Sequence, residues 1–303
     1  MIVYLQRNEI NIEKWDRSID KAVNSLVYAY SWYLDIVCDG QWGALVNDDY
    51  EFVMPLPWRK RMGLPYIYQP FCTPQLGIFG IDVPDNECVQ AFQRAIPKSF
   101  RLVDQKVNIH HAIHLSSYAS THTTYHLNLQ ADYNDIKEGY HSHTRRSLRK
   151  SAKQFLELQT NVLPSVVMDL FKSNKGLEID DVKEADYLLL LKVLETATEK
   201  DLCKTYGVYN ESGECIAGAC FVFGREKIFF LLSAVNEEGK SKRAMYYLLD
   251  GFFSAHHSQG YTFDFEGSDI PGLARFYGGF GAEPKTYKKM YINNLPSIIK
   301  WMK

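Results

Sequence analysis

Two periods alternate along this chain. Where apolar residues recur every three or four positions, the pattern predicts helices over Ile12 to Val27, Asn86 to Ala95, Pro164 to Lys172 and Lys242 to Ser258, and one opened by Asp180-Asp181-Val182 that runs to Thr198. Where apolar and polar residues alternate, or β-branched and aromatic residues cluster, it predicts strands. These are Trp42 to Val46, Glu51 to Leu56, Tyr66 to Tyr68, Leu76 to Phe79, Arg101 to Val103, His122 to Leu129, Thr205 to Val208, Cys215 to Val222, Ile228 to Val235 and Tyr261 to Glu266. Asn47-Asp48-Asp49 is a turn signal that makes a hairpin of the strands beside it, and Asn210-Glu211-Ser212-Gly213 and Gly224-Arg225-Glu226-Lys227 read as turns. The fold class is mixed α/β.

Near residue 133 the character changes: Asp135 to Leu156 carries Arg145, Arg146, Arg149, Lys150 and Lys153 at helical spacing with few large apolar residues, which predicts a basic helix face. A domain boundary is expected there, giving 1–133 and 134–303, with 285–303 able to pack back on the first domain. A chain of 303 residues exceeds the size at which single cores usually stop growing, so length alone predicts one large domain or two of about 150 residues each.

Composition narrows the possibilities. With 46% hydrophobic and 23% charged residues and a formal charge of −2, the chain is an ordinary folded protein with no global field for nucleic acid or membrane, so any anion site is local. Its six cysteines, at 38, 72, 88, 203, 215 and 220, form no C-x-x-C pair, which fits reduced thiols. The start is charged too soon for a secretory signal, and no window reaches the apolar length of a membrane span. A cytoplasmic protein is expected, with no transmembrane segment.

The densest chemistry lies at Tyr261-Thr262-Phe263-Asp264-Phe265-Glu266, which passes through Gly267-Ser268 into Arg275-Phe276-Tyr277-Gly278-Gly279-Phe280-Gly281. Alternation puts Thr262, Asp264 and Glu266 on one face, so a polar row ends at a turn before a helix, where α/β proteins hold ligands. Ser268 or Asp269 can cap that helix, Pro271 suits its first turn, and Gly278-Gly279 ends it. Asp264 or Glu266 is the candidate base and Tyr277 the candidate acid; the plain alternative is that the carboxylates hold the turn and Tyr277 packs in an aromatic core.

Ala234-Val235-Asn236-Glu237-Glu238-Gly239-Lys240-Ser241 has P-loop spacing, but its two glutamates would face the phosphates, and the chain left after it is too short for the rest of an NTPase sheet. Read loosely, it is an amide-rich helix start with Gly239, Lys240, Ser241, Lys242 and Arg243 suited to a carrier phosphate, or else a solvated charged loop. Arg145, Arg149, Ser268 and Arg275 complete the candidate phosphate contacts. His110, His111, His114, His122 and His126 have no accompanying carboxylate or thiol, so no metal is expected. No Gly-x-Ser-x-Gly elbow occurs, which favours direct transfer over a covalent intermediate. Trp32, Tyr33, Tyr68, Gln69 and Gln75 could line an acceptor cleft between domains.

The hairpin, helix, strand, then helix and Gly-Phe turn resemble the GNAT superfamily of N-acyltransferases. Thr144-Arg145-Arg146-Ser147-Leu148-Arg149-Lys150-Ser151-Ala152-Lys153, Phe263-Asp264-Phe265-Glu266-Gly267-Ser268 and Arg275-Phe276 to Phe280-Gly281 are similar to the Fem-like branch, which joins two GNAT-like domains in tandem and adds amino acids from aminoacyl-tRNA to peptidoglycan precursors. The resemblance implies two GNAT-like domains, each a mixed, mostly antiparallel sheet flanked by helices, with the carrier site in the second. It also implies that Tyr277 is a general acid for the leaving group. The Fem-like turn usually has lysine where this chain has Tyr277, and no coiled-coil arm is visible. The implied co-substrate is therefore acyl-CoA, an acyl carrier protein or aminoacyl-tRNA, with no tightly bound cofactor, and the acceptor an amine of a small molecule or cell-envelope precursor. A silent GNAT-fold scaffold is the alternative.

Overall fold

The computed structural model describes residues 1–111, 118–174, 183–267 and 269–296. Along the chain run β1 (Ile2–Gln6), α1 (Ile12–Lys21), α2 (Ser31–Val37), β2 (Trp42–Asn47), β3 (Phe52–Arg61), β4 (Leu64–Ile67), β5 (Phe79–Gly80), α3 (Asn86–Ala95), β6 (Leu102–Val107) and β7 (Tyr118–Asn128). Then come α4 (Tyr133–Glu138), α5 (Ser142–Ser151), β8 (Glu157–Thr160), α6 (Pro164–Asn174), α7 (Glu184–Glu199), β9 (Cys203–Tyr209), β10 (Cys215–Phe223) and β11 (Lys227–Val235). The last elements are α8 (Glu237–Lys242), α9 (Ala244–His256), β12 (Thr262–Gly267), α10 (Pro271–Gly279) and β13 (Glu283–Asn293). Contacts group the chain into two compact units, Met1–Thr123 with Thr286–Lys303, and Thr124–Lys285. No described helix is long and apolar enough to cross a membrane.

In the first unit the predicted hairpin forms, with β2 and β3 antiparallel from Trp42↔Pro57 to Val46↔Val53, and β1 pairs along β2. β3 turns into β4 through Met62 and Gly63, both at positive φ (50° and 80°), the backbone of a tight primed turn. β4 meets β6 in parallel at Ile67↔Val103, and β6 pairs antiparallel with Lys288 to Asn293 of β13. Leu45, Met54, Leu56, Ile67, Phe92, Val103 and Met290 fill its core. α1 stops at Lys21 instead of Val27, because Val23 N–H donates to Gly80 O and the Asn24 amide reaches Ile78 O, drawing the chain out of the helix.

The second unit orders its strands β7-β12-β11-β10-β9-β8, all antiparallel neighbours except the parallel pair β11–β12. Strand alternation gives β10 two distinct faces. Gly218 faces α6, where a Cβ would lie 2.8 Å from Val167, while Phe221 on the other face stacks on Phe252 of α9 at 3.7 Å. Around that stack lie Phe253, Phe263, Phe265 and Phe280, each worth about 2–3 kcal/mol of transfer energy when fully buried. One predicted helix is divided. The basic segment is α4 and α5, broken at 139–141 where Tyr140 turns inward to donate to Asp250 (3.0 Å) and pack on Phe280. The helix predicted over 242–258 is α9, and α8 lies before it across Arg243, whose φ/ψ of 62°/34° is left-handed. The opening residues predicted for α7 lie outside the described residues.

Candidate active site

β11 and β12 pair over only three positions, Lys227↔Thr262, Ile228↔Phe263 and Phe229↔Asp264, although β11 continues to Val235 and β12 to Gly267. The strands separate at the point where β12 carries a bulge: its pairing with β7 shifts between Asp264 and Gly267, and Glu266 sits at φ +65°. A cleft of about 200 Å³ opens there, lined by Phe230, Ser233, Ala234 and Val235 of β11, Gly239 and Lys240 of α8, Arg243, Met245 and Tyr246 at the start of α9, and Leu273, Phe276 and Tyr277 of α10. It is an apolar slot with a few polar groups at its rim, a form suited to an acyl chain.

The bulge gives the two candidate carboxylates different surroundings. Asp264 is buried and fully engaged, accepting from Thr124 Oγ1 (2.5 Å), His126 Nε2 (3.1 Å) and the Glu266 amide (2.9 Å). Burial alone would raise its pKa; the His126 hydrogen bond and charge, with Lys227 and Thr124, bring it below the usual carboxylate range. Glu266 is different: the residue is half-buried, but its Oε1 is inaccessible and has no hydrogen-bond partner. Burial holds its pKa well above the ordinary value. Tyr277, 6% exposed, stacks on Phe265 at 4.6 Å, and burial followed by the Glu266 charge pushes its phenol upward, so it keeps its proton. A non-glycine residue in left-handed geometry with an unpartnered buried carboxyl is the kind of strain that collects at functional sites.

The predicted phosphate contacts are dispersed. Asn236 to Ser241 forms the start of α8 and not an open loop: Asn236 Oδ1 accepts from Gly239 N–H (2.8 Å), Lys240 pairs with Glu237, and Lys242 pairs with Glu238 (2.7 Å). Gly239 is required by close approach, since a Cβ there would lie 2.2 Å from Ile216 O. Ser241 is exposed, and Arg243 reaches the cleft. Arg145, donating to Glu138 O (2.6 Å), and Arg149 are exposed on α5; Arg275 is exposed on α10; Ser268 lies outside the described residues.

The predicted acceptor residues all belong to the first unit. Tyr33 donates to Cys72 O, Gln69 accepts from Lys106 N–H (2.7 Å) and donates to Thr73 O, and Arg59 lies 4.2 Å over the Tyr68 ring. Trp32 is half-buried against Tyr33, and Gln75 is buried. The histidines take separate roles: His111 Nδ1 accepts from Ile78 N–H (3.2 Å), His122 stacks on Tyr287, His126 serves Asp264, and His114 lies outside the described residues. Among the described residues no cluster of three or more histidine, cysteine or acidic side chains could hold a metal. Sequence reasoning missed Tyr246, His141 and His143, which line cavities around α10 but belong to no local motif.

No family profile and no curated protein sequence matches the chain. Solved structures do. FemX is similar over 96% of this chain and 98% of its own, with TM-score 0.69 at 12% identity. A tandem GNAT protein from the clavulanic acid biosynthesis pathway matches 98% and 99% (TM-score 0.52, 12% identity). The C-terminal domain of a putative lysylphosphatidylglycerol synthetase from Agrobacterium fabrum matches 97% and 95% (TM-score 0.54, 11% identity). Identity this low speaks for the backbone alone, and on that ground the chain has the tandem GNAT-type fold of the Fem-like kind.

Proposed function

We propose that the chain is an N-acyltransferase or aminoacyltransferase that holds an acyl group, still on its carrier, in the β11–α10 cleft and passes it directly to an amine. The observation that carries this reading is the end of β11–β12 pairing at Phe229↔Asp264, with the cleft opening beyond it and Tyr277 in its wall. The amine nitrogen attacks the acyl carbonyl, a C–N bond forms and the carbon–sulfur or carbon–oxygen bond to the carrier breaks. Glu266 receives the proton the amine gives up, and the Tyr277 hydroxyl donates one to the departing thiolate or alkoxide. An arriving ammonium group favours the ionised form of Glu266, so the substrate itself readies the base. Asp264 is the poorer base because its oxygens are already committed to three hydrogen bonds.

Acyl-CoA, an acyl carrier protein and aminoacyl-tRNA are the carriers that suit such a cleft, and an amine of a cell-envelope precursor is the acceptor class. One observation favours a silent binding module instead: the α8 N-terminus is capped by its own Asn236 and shielded by Glu237 and Glu238. Thermal shifts with acetyl-CoA, longer acyl-CoAs and charged or uncharged tRNA, followed by mass spectrometry of transfer to an amine panel, separate the two. Saturable stabilisation with an acylated product supports the transferase; stabilisation without product supports the binding module, and silence from every carrier sinks the acyl-cleft reading.

A further inference from the structure

A second cavity, about 440 Å³, shares Tyr246 and Phe276 with the acyl cleft and is lined besides by His141, His143, Arg275 and Gly279. The two shared rings meet edge to face at 4.8 Å, and His143 Nε2 lies 3.1 Å from the Tyr246 hydroxyl. The lining holds two imidazoles and a guanidinium with no carboxylate. His141 also precedes the ten-residue α5 and caps none of its amides through its side chain. In the first turn of that helix the Thr144 hydroxyl is wholly buried without a partner, 2.6 Å from where a Cβ on the cavity-lining Gly279 would stand. α5 contains no acidic residue, and Arg145, Arg146 and Arg149 are exposed along it, so the local field is positive.

The α8 end of the same cleft is built the other way. Its first turn carries Glu237 and Glu238, its Gly239 amide is taken by Asn236, and Lys240 and Lys242 are neutralised by those glutamates. A phosphate there would meet two carboxylates and no free lysine. We propose that the cavity between α5 and α10 is the seat for a phosphate group of the acyl carrier, with Arg275, His141 and His143 as its donors, and that the α8 end does not bind phosphate. This rests on the acyl-transfer reading, because the carrier's acyl arm is what occupies the neighbouring cleft. Guanidinium and imidazole groups bind phosphate oxygens through charge-assisted hydrogen bonds, and both a phosphorylated CoA and an RNA backbone could supply them.

Isothermal titration of the full chain at low salt with CoA, with pantetheine as its phosphate-free portion, and with a short single-stranded RNA tests the assignment. Arg275→Ala, and separately the double variant His141→Ala with His143→Ala, should weaken CoA or RNA roughly tenfold or more while leaving pantetheine unchanged. A loss confined to CoA identifies the CoA phosphates as the source, and one confined to RNA identifies the phosphodiester. The variant Lys242→Ala should bind all three as the unaltered chain does. The seat is overturned if the α5–α10 variants bind normally, if they lose pantetheine equally, or if the lysine variant is the one that loses phosphate-bearing ligands. Absence of binding by the unaltered chain would remove the acyl-transfer reading itself, a different failure.

Discussion

The two units share a parallel junction and use it in opposite ways. In the first, β4 meets β6 at Ile67↔Val103, and the chain leaving β4 turns back into the gap: Leu76 bridges Val107, its N–H donates to Lys106 O, and Gln69 accepts from Lys106 N–H. In the second, β11 leaves β12 after Phe229↔Asp264, and the chain moves on into α8 and α9, so the gap stays a cleft. The residue types after each strand account for the difference. Pro70 and Pro74 follow β4 and prevent a helix, whereas Asn236 followed by Glu237 and Glu238 is a helix start with its cap and favourable first-turn charge. A shared scaffold thus becomes a plugged unit or an open one according to a few residues beyond one strand.

The sharpest break of this comparison is chemical and confined to the open unit. Tyr277→Phe removes only a hydroxyl, and transfer should fall by about 10²–10⁴-fold, with carrier affinity retained, in single-turnover assays. An unchanged rate would leave the tyrosine a packing residue.

The plug of the first unit offers the next largest effect. His111 holds the Ile78 amide, and burial lowers its pKa to about 3 against about 6.5 in an unfolded chain. Since the unfolded state binds the proton first, this contribution is complete above about pH 6.5 and is lost as pH falls toward 3, amounting to a few kcal/mol. Denaturant midpoints measured across that range should decline less steeply in His111→Gln. Gln69→Ala, which removes the acceptor of the Lys106 amide, should cost about 1–3 kcal/mol by urea unfolding while leaving carrier binding in the other unit intact.

The smallest effect has an instructive sign. Glu266 has a folded pKa above its unfolded one, so the folded state holds the proton longer and stability is lost as pH rises past the unfolded value. Glu266→Gln should therefore raise the melting temperature, by more at pH 8 than at pH 5. A melting temperature lowered equally at both would mean that the carboxyl is not desolvated.

Much of this architecture was legible from pattern. The 42–56 hairpin, α3, β10, β11 and the helical character of α9 follow from periodicity, since local burial sets them. β13 was missed because Lys285, Lys288 and Lys289 break its alternation into what reads as a solvated tail. The short helix α8 read as a loop, and the left-handed Arg243 that separates it from α9 has no sequence signal. The parallel junctions depend on partners 35 or more residues away, beyond the reach of any window. The largest shortfall was at the site itself: alternation put Asp264 and Glu266 on one face, whereas the bulge binds one to Thr124 and His126 and leaves the other acting on Tyr277.

A bulge is one residue more than its partner strand can match. Deleting the Phe265 codon would let the ladder with β7 run through unbroken and set the glutamate opposite Tyr125, in the place Phe265 leaves and on the face away from Asp264, with Asp264, Glu266 and Tyr277 all still encoded. On the proposed reading, such a frame-preserving deletion should pair the strands more regularly and lose transfer. In this fold, register along one strand shapes the site as much as the identity of any side chain on it.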